Sequence, residues 1–125
     1  MIIVNLTQHK ATPEQQAAGV VDLEGEDLEY LVRCLTFDDI PNRAKIRACA
    51  FNIAQNIFWA KFEGARAAMI GGAPWLMGPL AAALKARGIK ALFAFSVREA
   101  IEQTMPDGSV RKTAVFRHKG FVEAL

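Results

Sequence analysis

The sequence predicts an α/β fold in a single domain, a mainly parallel sheet flanked by helices with a C-terminal antiparallel β-hairpin. Three observations carry the prediction. Short β-rich apolar runs alternate with helical patterns through the first three quarters of the chain. The strand-helix-strand segment from Ala67 to Ser96 spans about 30 residues, the length a right-handed parallel crossover needs. Beyond Ser96 two further runs flank a tight turn. A chain of 125 residues suits one domain, 1–125. Area scaling gives it a folded surface of roughly 6,600 Å² against about 20,000 Å² unfolded, so no disulfide staple is needed.

Ile2-Ile3-Val4-Asn5-Leu6 reads as a buried first strand, and Thr7-Gln8-His9-Lys10 as its polar exit. Thr12-Pro13-Glu14-Gln15 sets a capping hydroxyl before a proline, with Gln15 completing a capping box, so a helix starts there and ends near Gly19. Val20 to Leu23 forms a short second strand, and Glu26 to Leu35 a helix through Leu28, Leu31, Val32 and Leu35. The longest helical pattern runs from Asn42 to about Phe62. One of its stripes passes through Ile46, Ala50, Ile53 and Ile57 and the other through Phe51, Ala54, Phe58 and Phe62, a wide face for a sheet and a second subunit. Ala67 to Ile70 is a central strand; Gly71-Gly72-Ala73-Pro74 opens a helix from Trp75 to Arg87 that Gly88 closes. Ala91 to Phe95 is the next strand. Ala100–Thr104 and Val110–Phe116 then form a hairpin about Pro106-Asp107-Gly108-Ser109.

Composition excludes several classes. With 52% hydrophobic and 22% charged residues the chain is globular, not disordered or collagen-like. No stretch approaches the roughly 18 apolar residues of a membrane span. The start MIIVNLT lacks a basic region ahead of an apolar segment, so it reads as a strand and not a signal peptide, which predicts a cytoplasmic protein. Cys34 and Cys49 lie on apolar helical patterns as reduced, buried thiols. Two histidines and no HExxH or Cys/His cluster leave nothing to bind a metal. The net charge of +2 divides unevenly: residues 1–42 hold two basic and eight acidic side chains, residues 43–84 five and one, residues 85–125 eight and four. That division suits a basic pocket for an anionic ligand beside an acidic face, and equally two solvated surfaces. Long nucleic acid is not expected, because the cations follow no single helix and one Tyr and two Trp offer little stacking.

Ligands of open α/β sheets bind outside the carboxyl ends of the strands, so three exits are candidates. The first holds Asn5, Thr7, His9 and Lys10: His9 or Lys10 meets a phosphate or moves a proton, or these are loop residues solvating a strand end. The second, Gly71-Gly72 before a helix, lets backbone amides and the positive helix end approach a phosphate, or simply turns the chain. No GxGxxG or Walker pattern is present. At the third, Ser96 and Arg98 offer a hydroxyl and a planar cation for a phosphate oxygen, or Arg98 pairs with Glu99 or Glu102. Arg111, Lys112, Arg117, His118 and Lys119 read as a solvated basic ribbon. Trp59 and Trp75 read as core or interface, although Trp75 sits beside the glycine turn, where it can contact a base.

Asn5-Leu6-Thr7 at the end of a short N-terminal strand, with Gly71-Gly72 opening an Ala-rich helix after an apolar strand, resembles the CRISPR-associated Rossmann-fold (CARF) superfamily and the small stand-alone ring nucleases related to it. Where that family often has a hydroxyl and a basic residue after the glycines, Ala73-Pro74 stands here. The resemblance implies a CARF-like, Rossmann-like domain, a homodimer, and one symmetric pocket for cyclic oligoadenylate, a second messenger of type III CRISPR antiviral defence. It also implies metal-independent chemistry without a cofactor, in which a ribose 2′-hydroxyl attacks the neighbouring phosphorus. His9 would then move a proton, Lys10 or Arg98 would stabilise phosphate charge, and Thr7, Gly71, Gly72 and Ser96 would hold the ligand. Three function classes follow: a nucleotide phosphodiesterase, a non-catalytic sensor or sponge of the same fold, and a dimeric interaction protein from a mobile element. The expected partners are cyclic oligoadenylate or another phosphorylated small ligand and a second copy of the chain, with no membrane.

Overall fold

Strands without polar alternation must bury both faces, and Ile3–Leu6 (β1) and Ala67–Ile70 (β3) are buried along their whole length. The computed structural model describes residues 1–59 and 61–125, without the side chains of Phe58 and Trp59. Between and after these two strands lie α1 (Pro13–Ala17), β2 (Val20–Asp22), α2 (Gly25–Leu35), α3 (Arg43–Asn52) with a π-helical continuation Ile53–Trp59, α4 (Pro74–Lys85), β4 (Lys90–Thr104) and β5 (Val110–Glu123). The five strands form one sheet in the order β2-β1-β3-β4-β5. β2, β1, β3 and β4 are parallel, and β5 runs antiparallel to β4.

Local chemistry explains the boundaries. The Thr12 side chain accepts from the Gln15 amide while the Gln15 side chain accepts from the Thr12 amide, the capping box that starts α1. Asn42 caps α3 by accepting from the Lys45 amide at 2.8 Å. One sheet face carries the main core: Val4, Leu6, Ala68, Ile70 and Ala91 meet Leu31, Cys34 and Leu35 of α2, Cys49 and Ala50 of α3, and Leu76, Leu80 and Leu84 of α4. The other face is thinner. Ile3, Val20, Ala67, Met69 and Leu92 cluster there with Ala11 and Phe121, and α1 buries none of its residues. Among the described residues no helix is long and apolar enough to cross a membrane.

Two expectations need correction. The expected helix from Asn42 to Phe62 is α-helical only to Asn52, after which the wider π winding shifts the phase of the stripes. The first stripe faces inward through Ala50, Ile53 and Ile57, with Ile46 partly buried; of the second, Ala54 is buried in the core and Phe62 packs against it, whereas Phe51, still within α3, is 57% exposed. Ala60 and the side chains of Phe58 and Trp59, with the reading made for Trp59, lie outside the described residues. Nor does the chain leave the sheet at Ser96. β4 continues through it to Thr104, because Phe95-Ser96-Val97-Arg98 keeps strand alternation and holds no Gly or Pro to stop it. The hairpin is correspondingly longer than expected, with a bulge opposite Phe95/Ser96.

Candidate functional site

From β1 the chain passes to β2 on one side and later to β3 on the other, so the carboxyl ends of β1 and β3 flank a point where connections diverge. The loop Thr7–Lys10 leaves β1 at this point, and Asn5 shapes it. Buried at 2% exposure, Asn5 donates from Nδ2 to the His9 carbonyl at 2.8 Å and to Asp22 Oδ1 at 2.7 Å. Its Oδ1 accepts from the Thr7 amide at 2.9 Å and from the Thr7 hydroxyl at 2.7 Å. Asp22, opposite Asn5 in the β1–β2 register, also accepts from the Ala11 amide at 3.0 Å. Five hydrogen bonds thereby satisfy these groups in a place where an unpaired one would cost about 1–3 kcal/mol. The loop is held from both ends.

Across from it, β3 ends in Gly71-Gly72. A Cβ on Gly71 would stand 3.5 Å from the Thr7 methyl, and Gly72 has φ +104°, a conformation L side chains avoid. The first distance is an ordinary van der Waals contact, so the β3 exit lies beside the Thr7 loop without a close approach, and the positive φ at Gly72 is what favours glycine at this turn. Pro74 begins α4, whose N-cap residue Ala73 makes no side-chain capping bond.

Two crevices share the loop. One, of about 380 Å³, lies over the end of β3 and the point where β4 parts from it, and is lined by Thr7, Gln8, His9, Lys10, Gly71 and Gly72, with Met69, Phe93 and Ala94 supplying apolar wall. The other, of about 440 Å³, lies over the end of β2 and the start of α2, with Asp22, Glu24 and Gly25 facing the same His9 and Lys10. The exposed His9 and Lys10 thus stand between a carboxylate-lined recess and a glycine-lined one. A phosphate suits the second, where backbone can approach; a hydroxyl or amino group suits the first.

Of the residues expected at the site, Thr7, His9, Lys10, Gly71 and Gly72 come together. Asn5 joins them as the brace, with both amide protons and its oxygen already engaged. Ser96 and Arg98 do not line either crevice; they sit on the ribbon opposite His118 and Phe116. Trp75, 37% exposed, packs against Phe37 at 5.6 Å and also lies outside both linings. Sequence reasoning missed Asp22, Gln8, Thr12, Gln15 and Glu24. Asp22 had a signal, the single acid ending the apolar run Val20-Val21, but its value depends on β2 pairing with β1 in register. Among the described residues no three His, Cys, Asp or Glu side chains gather to hold a metal.

A family model described as uncharacterized protein MJ1673 family matches residues 1–122. No curated protein and no solved structure matches the chain.

Proposed function

The chain belongs to the uncharacterized protein MJ1673 family, whose description names no activity, and we propose from its strand-end geometry that it binds and cleaves a cyclic oligoadenylate without a metal. One observation carries the reading: His9, Lys10 and the Gly71-Gly72 backbone converge where the connections from β1 diverge, the position at which open α/β sheets hold nucleotides. In this reading the four parallel strands are a Rossmann-like sheet. Gly71 and Gly72 admit a phosphate close to backbone, and the Lys10 ammonium balances its charge. The ribose 2′-hydroxyl attacks the adjacent phosphorus and the bond to the 5′-oxygen breaks; His9 takes the 2′ proton, the 5′-oxygen leaves as a hydroxyl by taking a proton from water, and His9 then returns its proton to solvent. The product is a linear oligoadenylate ending in a 2′,3′-cyclic phosphate. The same reading puts the protein in the cytoplasm, which the two buried, unbridged cysteines support.

A single ammonium in the glycine-lined crevice, with Arg98 elsewhere, favours a second reading: a sensor or sponge that holds the ring intact. One experiment separates them. Purified protein is incubated with cyclic tri-, tetra- and hexa-adenylate in EDTA, with thermal shift and chromatography read together. The proposal expects a raised melting temperature and a linear product carrying a cyclic phosphate. A shift with intact ligand establishes the sensor or sponge, and neither shift nor product with any ring overturns both.

A further inference from the structure

β4 pairs with β3 only as far as Phe93, and among the described residues its sole strand partner from Ala94 to Thr104 is β5. At about 3.4 Å per residue this two-stranded ribbon projects some 35 Å beyond the parallel sheet. Water surrounds it on both sides. One ribbon face carries Phe95 at 51% exposure with Val97, Ile101 and Val115; the other carries Phe116 at 74% with Val110, Ala100 and Ala114. A two-stranded ribbon exposed on both faces is marginally stable at best in water, so its apolar side chains call for cover.

The total surface shows how much cover is needed. The chain exposes 8177 Å², about 1,600 Å² more than a compact monomer of its mass. A stable interface of ordinary size removes about 800 Å² from each partner, and obligate homodimers remove more. The excess is large enough to supply one partner's share of an extensive, symmetric dimer contact. Charge narrows the choice of occupant. From Ala94 to Glu123 the ribbon holds Arg98, Arg111, Lys112, Arg117 and Lys119 against Glu99, Glu102, Asp107 and Glu123. Arg117 pairs across the strands with Glu99 at 2.9 Å, and Lys112 with Glu102 at 3.8 Å. A nearly balanced, internally paired surface lacks the excess cations that a polyanion needs, and suits a self-complementary contact in which each side meets its own copy.

We infer that the β4–β5 ribbon is a dimerisation arm covered by a second copy of this chain. The inference is independent of the ligand and places the contact on the ribbon, not on the face of α3. The test is sedimentation equilibrium of the full chain between about 1 and 100 μM, beside Phe116→Glu and Val97→Glu/Ile101→Glu. These sites are exposed in the single chain, so the fold persists, as far-UV circular dichroism checks. The control is Ile40→Glu, an apolar residue 98% exposed away from the ribbon. The expected result is a mass near twice 13.7 kDa for the native chain and control, with dissociation at least tenfold easier in the ribbon variants. A native monomer throughout that range overturns the inference, whether or not it then binds an oligonucleotide or another protein. A dimer indifferent to both ribbon variants overturns it too.

Discussion

In β1 and β3 every residue is buried, whereas from Ala94 onward every residue of β4 is exposed, although all three strands belong to one sheet. The difference lies in what the neighbours supply. β1 and β3 have strands on both sides and helices over one face, so the chain itself provides the contacts that hold them. The ribbon has one neighbour and no layer over either face. The first region should therefore respond to mutation through packing within one chain, and the second through association.

The largest expected effect tests that contrast. Leu80, fully buried in the main core, should lose about 2–5 kcal/mol of stability on change to alanine, read as a urea midpoint independent of protein concentration. Ile101→Ala on the ribbon should lower the midpoint only insofar as it weakens the dimer, a loss that shrinks as concentration rises. A concentration-independent loss at Ile101 equal to that at Leu80 would erase the distinction between the two regions.

Next comes the brace. Asn5→Ala strands the Thr7 amide, leaves the His9 carbonyl only the longer bond from the Thr7 hydroxyl, and should cost about 1–3 kcal/mol. It should also weaken ligand binding, although Asn5 has no free group for a ligand. Calorimetric titration and denaturation on one preparation check both, and retained affinity with lost stability would separate the brace from the site. Lys10→Ala is the converse case: about tenfold weaker binding, some 1.4 kcal/mol, with an unchanged urea midpoint.

Much of the parallel half was legible because its signals are local. Thr12, Pro13 and Gln15 spell a cap, and Ala67 to Ile70 is a strand apolar on both faces. The unread parts depend on distant partners. Asn5 looked like a ligand group because its bonds run to Asp22, seventeen positions away, and that pairing exists only once β2 lies beside β1. Ser96 and Arg98 read as a strand exit because the local alternation Phe95-Ser96-Val97-Arg98 permits a longer strand but only pairing with β5 carries β4 onward. The π winding after Asn52 likewise alters the phase of an apolar pattern without changing the pattern.

Smaller effects come from protons. In the core, burial pushes the Cys34 thiol from 9.0 up to about 12, and burial pushes the Tyr30 hydroxyl from 10.0 up to about 12. The unfolded chain ionises these groups first, so their share of stability is full below pH 9 and is lost as pH rises toward 12. Melting temperatures across pH 7 to 11 should fall only at the alkaline end, and a flat profile would contradict the assignment. At the ribbon tip the sign reverses. Bonds from the Ser109 hydroxyl and amide hold the Asp107 carboxyl below its usual range, so the turn loosens as pH falls through that lowered value. Faster amide exchange at Ser109 in Asp107→Asn would show the same loosening at neutral pH, and unchanged exchange would show that the carboxylate does not hold the turn.

The most direct test of the ligand site is an NMR titration of ¹⁵N-labelled protein with cyclic oligoadenylates in EDTA, reading which amides move. The account predicts that shifts concentrate at Thr7 to Lys10 and at Gly71 and Gly72, and that the His9→Ala/Lys10→Ala variant abolishes them. Shifts confined to the ribbon, or none with any ring, would contradict it.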